Sequence, residues 1–497
     1  MTVHVAIATA QPRYPAAPPY APDRLFPEVA PAGIEAGNEP NPAYTAVRDA
    51  LRLLDLDAAN VETPAWNPFG KTVRPGDTVV LKPNFVREFR ERHPGHGECL
   101  ITHGAVIRAA LDYVYLALNG TGRIIIADAP QNDADFTAIR RITGLDEIQR
   151  HYRDRLGFEV EVYDLRPERA RKIDGVIIGH EPLAGDPAGY VRVDLGRDSA
   201  FCEIGDLCRL LYGAEYDTDE LHRHQHGDVH EYLISRTILE ADIVIGLPKL
   251  KTHKKVGLTV NLKNLVGING NKNWLPHHRE GTPAQGGDQF ADDRFKRRLE
   301  RGTVAQFKRL FPLLGPLRPI VARPTKALGK RLFGDTDNGT VRSGNWYGND
   351  TAWRMVLDLN RILRYADRDG RLADRPARRF FSIVDGIIAG EGNGPLDADP
   401  KPAGLVLAGA DPLAVDLAAG RIMGFDYARI PLLCRAFDAS RLPLTSFSYD
   451  EVEAHSDDYR FNGRLVDFDG PMLAFRPHFG WKDHVELRAD GARAATT

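Results

Sequence analysis

Residues 241–253, ADIVIGLPKLKTH, join a short apolar run to a group of basic side chains. Apart from Asp242, the run ADIVIG is apolar, which is typical of a strand buried on both faces of a parallel sheet. A proline stiffens the turn that follows, and Lys249, Lys251 and His253 come directly after it. Loops and helix N-termini converge at the carboxyl ends of strands in open α/β sheets, so this stretch predicts both the fold class and the place of a binding site.

Similar apolar runs recur along the chain and alternate with amphipathic helical patterns, such as those at 102–120, 350–366 and 411–424. This alternation predicts an α/β protein with mainly parallel, doubly wound sheets. A chain of 497 residues, of which 43% are hydrophobic, is long enough to fill two cores. We therefore expect two lobes with a cleft between them.

The expected boundaries follow the composition. An N-terminal α/β lobe covers 1–240 and carries a proline-rich segment, 11–42, that is predicted to be an irregular surface arm. A second α/β lobe covers 241–430, and a C-terminal extension covers 431–497. The second lobe contains an insertion at 294–334 with twelve basic residues, one acidic residue and interleaved apolar residues. Such a segment can lie on an anionic membrane surface, or it can be a solvated insertion whose apolar residues dock on the lobe beneath.

Charge and composition exclude several classes of protein. The chain has 65 lysines and arginines against 68 acidic residues, and this near-neutral balance argues against nucleic-acid binding. Its four cysteines form no CxxC pair, so we expect no iron–sulfur cluster and a reducing, cytoplasmic location. Because there is no secretory signal pattern and no apolar run of about 18 residues, we expect neither export nor a transmembrane segment.

Charged and amide side chains follow several predicted strands, and we expect them to bind an anion. Crowded ammonium groups and the free N–H groups of a helix N-terminus both attract negative charge. Crowding also lowers lysine pKa values, and a histidine can transfer protons near neutral pH. The predicted catalytic residues are Lys249, Lys251, His253, Asp128 and Asp385, the carboxylates serving in proton transfer or as ligands of a divalent metal ion. The predicted substrate-binding residues are Lys82, Asn84, Thr102, His103, Lys263, Asn264, His277, His278, Glu391, Gly392 and Gly394.

Two local patterns leave alternatives open. In 249–267, positions 256, 258, 260 and 262 alternate like a strand, whereas 258, 262, 265 and 266 suit a helix. We favour a loop through Lys255 and then a helix that ends at Gly267, with Lys254 and Lys255 in solvent. The segment 221–232, LHRHQHGDVHEY, is either a site for Zn or Ni or a solvated histidine-rich loop.

Several motifs, in this order, resemble the domain of unknown function 362 family: LKPNF, THGAVIRAALDYV, DAP, ADIVIGLPKLKTH, GLTVNLKNLVG, VDGIIAGEGNGP and DPLAVDLAAGRIMG. The resemblance covers about residues 81–424, with 294–334 as an insertion, and it implies no particular activity. More distantly, KTHKKVGLTVNLKNLVG is similar in layout to a stretch of the nickel-pincer lactate racemases, although TVNLKN stands where those enzymes have a double glycine. That likeness implies paired α/β lobes, proton transfer by His253, and anchoring of substrate or cofactor by Lys263.

The sequence therefore predicts an enzyme that acts by acid–base chemistry on a small carboxylate- or phosphate-bearing metabolite, such as an isomerase or racemase. The alternative is a non-catalytic anion-binding protein, or a peripheral membrane assembly protein that uses 294–334.

Overall fold

The computed structural model describes residues 2–89, 97–173, 176–213, 217–292, 340–470 and 472–487. The predicted basic insertion, 294–334, lies outside these residues. The strands are β1 (Val3–Thr9), β2 (Thr78–Pro83), β3 (Arg123–Asp128), β4 (Val160–Asp164), β5 (Glu168–Ile173), β6 (Val176–Pro182), β7 (Tyr190–Asp194), β8 (Leu211–Gly213), β9 (Gln225–His226), β10 (Val229–Ser235), β11 (Ile243–Leu247), β12 (Lys249–His253), β13 (Gly257–Thr259), β14 (Pro276–Arg279), β15 (Arg379–Asn393), β16 (Asp397–Lys401), β17 (Leu405–Gly409), β18 (Val452–His455) and β19 (Gly463–Arg464). The α-helices are α1 (Pro42–Leu53), α2 (Gly104–Leu118), α3 (Phe136–Thr143), α4 (Leu145–Leu156), α5 (Thr218–His224), α6 (Arg236–Glu240), α7 (Asn261–Asn264), α8 (Ala352–Tyr365), α9 (Pro412–Met423) and α10 (Pro431–Cys434).

A twelve-stranded sheet forms the centre of the molecule. Its main path runs β19-β18-β1-β17-β15-β11-β2-β3-β4, and β12, β13 and β16 join it through the long strand β15. From β15 to β4 every neighbouring pair is parallel, whereas β17 is antiparallel to both β1 and β15. The predicted α/β class, with a large and mainly parallel sheet, is confirmed.

The sheet separates two hydrophobic cores. Successive side chains of a strand point to opposite faces, so Val79 and Leu81 of β2 lie in one core and Val80 lies in the other. Helices α1 and α2 cover the first core, and helices α8 and α9 cover the second. The two cores that the chain length predicts are therefore the two faces of one sheet.

The two-lobe arrangement, with a cleft between the lobes, is not confirmed. Strand β2 of the expected first lobe pairs in parallel with β11 of the second, and β1 lies between β17 and β18. Segments 1–240, 241–430 and 431–497 thus contribute neighbouring strands to the same sheet. Each supplies apolar strands that need partners on both edges, and pairing between segments satisfies their backbone groups.

The proline-rich segment 11–42 is predicted to be an irregular surface arm, and the structure shows that this prediction is wrong. Tyr20, Phe26, Val29 and Ile34 are all buried, and they belong to the core that also contains α1 and α2. Proline prevents regular structure here but does not prevent burial, because it leaves the apolar side chains free to fill the space beside the sheet.

Residues 249–267 form neither the loop nor the long helix that we favoured. Strand β12 pairs in parallel with β15 and turns back to pair antiparallel with β13, and helix α7 begins only at Asn261. Val256, Leu258 and Val260 are buried, so the strand-like alternation is the pattern that the tertiary structure uses. Gly257, at φ +84°, permits the reversal between the two strands.

Candidate functional site

A cavity of about 440 Å³ lies where β2 and β3 end and where the β12–β13 hairpin meets α7. Its volume is within the usual range for a small-molecule site. The predicted residues that line it are Asn84, Asp128, Lys251, His253, Lys263, Asn264, His277 and His278. The fold therefore brings predicted residues from five separate segments of the chain to one place.

Four lysines around the cavity have strongly lowered pKa values. Burial, reinforced by neighbouring ammonium groups, lowers the pKa of Lys251 to about 7 and that of Lys263 to about 8. The pKa values of Lys255 and Lys272 are lowered to about 7, again mainly by burial. A fraction of these amines is therefore uncharged at neutral pH and can accept a proton.

Three of these lysines are held by uncharged acceptors. Lys251 Nζ donates to Asn84 Oδ1 at 3.0 Å and to the carbonyl of Leu100. Lys272 Nζ donates to three main-chain carbonyls at 3.1–3.2 Å, and Lys255 Nζ donates to two more. Within the described ranges, none of the four lysines forms a salt bridge, so an anion in the cavity could pair with their ammonium forms.

The carboxylate at the cavity wall is already paired. Lys82 Nζ donates to Asp128 Oδ1 at 2.7 Å, and both side chains are buried. The second oxygen of Asp128 accepts the N–H of Phe85 at 2.8 Å. Burial lowers the pKa of Lys82, although the adjacent Asp128 opposes that shift. Lys82 itself is not on the cavity wall but lies behind it.

Gly267 permits this ion pair to approach the backbone. A Cβ at this position would overlap the Asp128 carboxylate and would lie 2.7 Å from Lys82 Nζ. The Gly267 carbonyl also accepts the N–H of Ala129 at 2.9 Å, which ties the end of β3 to the segment after α7. Glycine is therefore required here by a close contact.

Two histidines on the wall are neutral and have complementary tautomers. Burial lowers the pKa of His253 well below its ordinary value and that of His277 to about 3. Nδ1 of His253 accepts the N–H of Lys255 at 3.0 Å, so the proton of this ring is on Nε2. Nδ1 of His277 lies 2.8 Å from the carbonyl of Leu275, so this ring donates from Nδ1 and leaves Nε2 as an acceptor.

Two further polar groups at the cavity have no protein partner in the part of the chain that is described. The Thr259 hydroxyl is 2% exposed and makes no hydrogen bond. Lys263 lines the cavity and makes neither a hydrogen bond nor an ion pair. An unsatisfied buried polar group costs about 1–3 kcal/mol, so a ligand that bonds to these groups gains correspondingly.

Lys249, Asp385 and His103 form a second buried cluster, away from the cavity wall. Lys249 Nζ lies 2.9 Å from Asp385 Oδ2, and Asp385 Oδ2 also accepts the N–H of His103 at 2.9 Å. Tyr14 donates to Asp385 Oδ1 at 2.5 Å, accepts from Lys249 at 2.7 Å and stacks on the His103 ring at 3.9 Å. The register between β12 and β15 shifts between Lys249 and Lys251, which explains why two lysines so close in sequence serve different clusters.

The remaining predicted residues support the backbone instead of lining the cavity. The Thr102 hydroxyl donates to the carbonyl of Leu247 at 2.5 Å and accepts the N–H of Asn84 at 2.9 Å. Glu391 is paired with Arg476 at 2.9 Å. Gly392, at φ +74°, and Gly394 shape the turn between β15 and β16, where a Cβ on Gly394 would overlap the backbone of β12.

Several lining residues were not predicted. Lys254 and Lys255, both expected in solvent, are half-buried in the wall because the β12–β13 turn folds over the cavity. Lys272 and Thr259 also line it. Lys272 stands between two asparagines in the motif NKNW. This polar motif beside a tryptophan is the sequence signal that could have indicated Lys272 as a site residue.

The histidine-rich segment 221–232 does not form a common metal site. His222 contacts the carbonyl of Leu211 at 3.0 Å, and His224 contacts Glu231 at 2.7 Å. His230 is buried beside Gln225 at 3.2 Å. Helix α5 ends within the segment and a hairpin follows, so these rings point to different partners; among the residues described, they form no group with ligand spacing.

Fold and site together define an α/β protein with a lysine-lined cavity at the ends of parallel strands. Residues 179–421 match the family described as Domain of unknown function (DUF362). The matched range contains the β12–β13 hairpin, Lys263, Lys272 and His277, whereas Asn84 and Asp128 precede it.

Two known proteins are similar to this chain. It is 25% identical over 365 residues to Thylakoid-associated protein sll1697 of Synechocystis sp. (strain ATCC 27184 / PCC 6803 / Kazusa), covering 73% of this chain and 68% of that protein. A crystal structure of a protein from Thermotoga maritima is 11% identical, with a TM-score of 0.26 and coverage of 68% of this chain; the match spans about half, 52%, of that protein. The resemblance to nickel-pincer lactate racemases is not shown by these comparisons. In the described chain, no helix has both the length and the apolar character needed to span a bilayer.

Proposed function

We propose that the chain is an enzyme that binds a small, multiply charged carboxylate- or phosphate-bearing metabolite in the cavity and acts on it by acid–base chemistry. The observation that carries this proposal is the set of four lysines with lowered pKa values around one cavity, whose carboxylate is already paired with Lys82. Perturbed titratable groups that converge in a cavity mark functional sites more often than structural ones.

Binding of an anion follows from the electrostatics of the wall. A carboxylate or phosphate near Lys263 would stabilise its ammonium form and raise its pKa. The protein would thus take up a proton as the ligand binds, because an amine that is partly neutral in the free protein becomes charged. The hydroxyl of Thr259 and Nε2–H of His253 add uncharged donors for the same oxygens.

Proton transfer is the chemistry that these groups support. The neutral amine of Lys251 can accept a proton from a carbon next to a carboxylate, while the electron pair of the broken C–H bond is delocalised onto the carboxylate oxygens. The Lys263 ammonium and Nε2–H of His253 would stabilise that charge. Return of a proton to either face of the carbon gives exchange or inversion. A divalent metal ion stays a prediction, since among the described residues that line the cavity Asp128 is the sole carboxylate.

Binding is tested by calorimetric titration of the full chain with pyrophosphate, citrate and acetate. We expect pyrophosphate and citrate to bind and acetate to bind far more weakly, because several lysines act together only on a multiply charged ligand. Lys263→Met should weaken binding by roughly tenfold or more. Lys71→Met, at an exposed lysine, is the matched control and should leave binding unchanged. Equal affinities of the Lys263→Met variant and the parent protein would contradict the anion site.

Catalysis is tested separately, by NMR in D₂O with a panel of small 2-hydroxy and 2-oxo carboxylates. Deuterium should enter the carbon next to the carboxylate of a bound substrate, and Lys251→Met should abolish this exchange. If the ligands bind and none exchanges deuterium, the cavity belongs to a binding protein and the enzyme proposal fails while the anion site stands.

Peripheral membrane association is the second candidate function. It is favoured by the basic composition of 294–334 and by the name of the relative from Synechocystis, which is described as thylakoid-associated. The full chain should sediment with vesicles that contain phosphatidylglycerol and not with vesicles of phosphatidylcholine alone. Deletion of 294–334 should remove this binding, and retention by the deleted form would assign membrane association to another surface. A cytoplasmic location stays a prediction.

A further inference from the structure

Two histidines and one glutamate lie together near one edge of the central sheet, on β1 and β18, far from the lysine-lined cavity in sequence. Strand β1 pairs in parallel with β18, and His4 stands beside Glu453 while Ala6 stands beside His455. Side chains two positions apart on a strand share a face, so His4, Glu453 and His455 all project from the same side of the sheet.

The donor atoms of these side chains converge. Nδ1 of His4 lies 2.7 Å from Nε2 of His455, with the ring centroids 4.7 Å apart and the planes at 67°. One ligand atom from each of the three residues lies within 4.8 Å of the other two. A tetrahedral Zn²⁺ ion with ligands at about 2.0–2.1 Å holds its donor atoms about 3.3 Å apart, so modest side-chain rotation would suffice.

The surroundings leave these donors available. His4 is exposed, and Glu453 and His455 are half-buried, so a fourth position is open to water. Arg464 stands beside Glu453 in register, but its guanidinium donates to Asp467 at 2.8 Å. Within the chain as described, this is the one group of three histidine, cysteine or carboxylate side chains with such spacing.

We propose that His4, Glu453 and His455 form a binding site for a divalent transition-metal ion, with Zn²⁺ as the best match. Two imidazole nitrogens and one carboxylate oxygen are a ligand set that Zn²⁺ accepts, with water completing the tetrahedron. The ligands are 451 residues apart at their extremes, so the ion would join the first strand to the C-terminal part of the chain. This assignment is independent of the lysine-lined cavity.

The test uses the full chain after treatment with a chelator, titrated with Zn²⁺ against a chromophoric competitor. We expect one tight equivalent, and a rise in Tm of roughly 3 °C when free Zn²⁺ is 100 times Kd. His455→Ala and Glu453→Gln should weaken this binding by roughly tenfold or more. His226→Ala is the matched control, because His226 is an exposed histidine on another short strand and should leave the equivalent intact.

A second readout separates loss of the site from loss of the fold. In the presence of chelator, the His455→Ala variant should have the Tm of the metal-free parent, so that the difference appears only when Zn²⁺ is added. Co²⁺ should give the visible absorption of a tetrahedral site in the parent protein only. If the His455→Ala variant and the parent bind Zn²⁺ with equal stoichiometry and equal change in Tm, the two histidines share only a hydrogen bond and the proposal is overturned.

Discussion

Lys251→Met is expected to stabilise the ligand-free protein, and to do so more at pH 6 than at pH 9. The Lys251 side chain is fully buried, and its pKa is lowered from 10.5 to about 7. That difference corresponds to about 5 kcal/mol of unfavourable free energy for the charged form in the folded protein. Methionine has a similar length and no charge, so it removes this contribution.

The pH dependence follows from proton linkage. Between about pH 7 and 10.5 the unfolded chain binds more protons at this lysine than the folded chain does, so the free energy of unfolding rises with pH across that window. With these pKa values, the penalty due to Lys251 is about 5 kcal/mol at pH 6 and about 2 kcal/mol at pH 9. The stabilisation by Lys251→Met should therefore be about 3 kcal/mol larger at pH 6.

The assay is urea denaturation of both proteins at the two pH values, followed by circular dichroism. The difference between the two pH values cancels any change in packing or in the hydrogen bond to Asn84, because both are present at each pH. Lys71→Met should show no such difference. If Lys251→Met changes the free energy of unfolding equally at pH 6 and pH 9, the amine is not held in the environment that we describe, and its proposed role as a base has no support.

Three further substitutions test the interactions that build the site. Asp385→Asn leaves Lys249 buried without a charged partner and should lower the free energy of unfolding by about 3–5 kcal/mol in urea denaturation. The control Asp374→Asn, at an 87% exposed carboxylate, should change it by less than about 0.5 kcal/mol. Similar values for the two substitutions would refute the buried pair. Tyr14→Phe removes the hydroxyl that joins Asp385 and Lys249. It should lower the free energy of unfolding by about 1–2 kcal/mol and speed proteolysis within 11–42. Unchanged proteolysis would mean that the segment is held by its apolar residues alone. Gly267→Ala should displace the Asp128 carboxylate at the cavity wall and weaken pyrophosphate binding by roughly tenfold while circular dichroism stays native. Normal binding would show that the ion pair tolerates the extra methyl group.

The strand ends of the site could be predicted from the sequence because the rule behind them is local. A buried strand followed by a polar residue places that residue at the carboxyl edge of the sheet, and Asn84, Asp128 and Lys251 all lie at the cavity for this reason. The same rule also selected Lys249 and Asp385, which form a separate pair. The register shift between β12 and β15 separates Lys249 from Lys251, and such an irregularity depends on a partner strand more than a hundred residues away.

The rest of the wall comes from tertiary structure that no local pattern contains. Lys255 reaches the cavity because the β12–β13 turn folds over it, and Lys272 reaches it from a short 3-10 helix, Lys272–Trp274, that does not follow a strand. The two-lobe arrangement is not confirmed, for a related reason. Chain length and apolar content require two cores, but they do not distinguish two separate sheets from the two faces of one.

The buried lysines around the cavity lower the stability of the folded protein, so stability does not account for their presence. Replacing Lys251 by an apolar side chain would relieve the penalty of a buried ammonium without disturbing a salt bridge, since its recorded partners are an amide oxygen and a carbonyl. Lys255 and Lys272 are held in the same way, by main-chain oxygens. Groups that serve stability alone are expected to be paired with opposite charge, as Lys82 is with Asp128 and Lys249 is with Asp385. The contrast between these paired lysines and the lysines in the wall without a salt bridge is the reason for our proposal that a ligand supplies the negative charge.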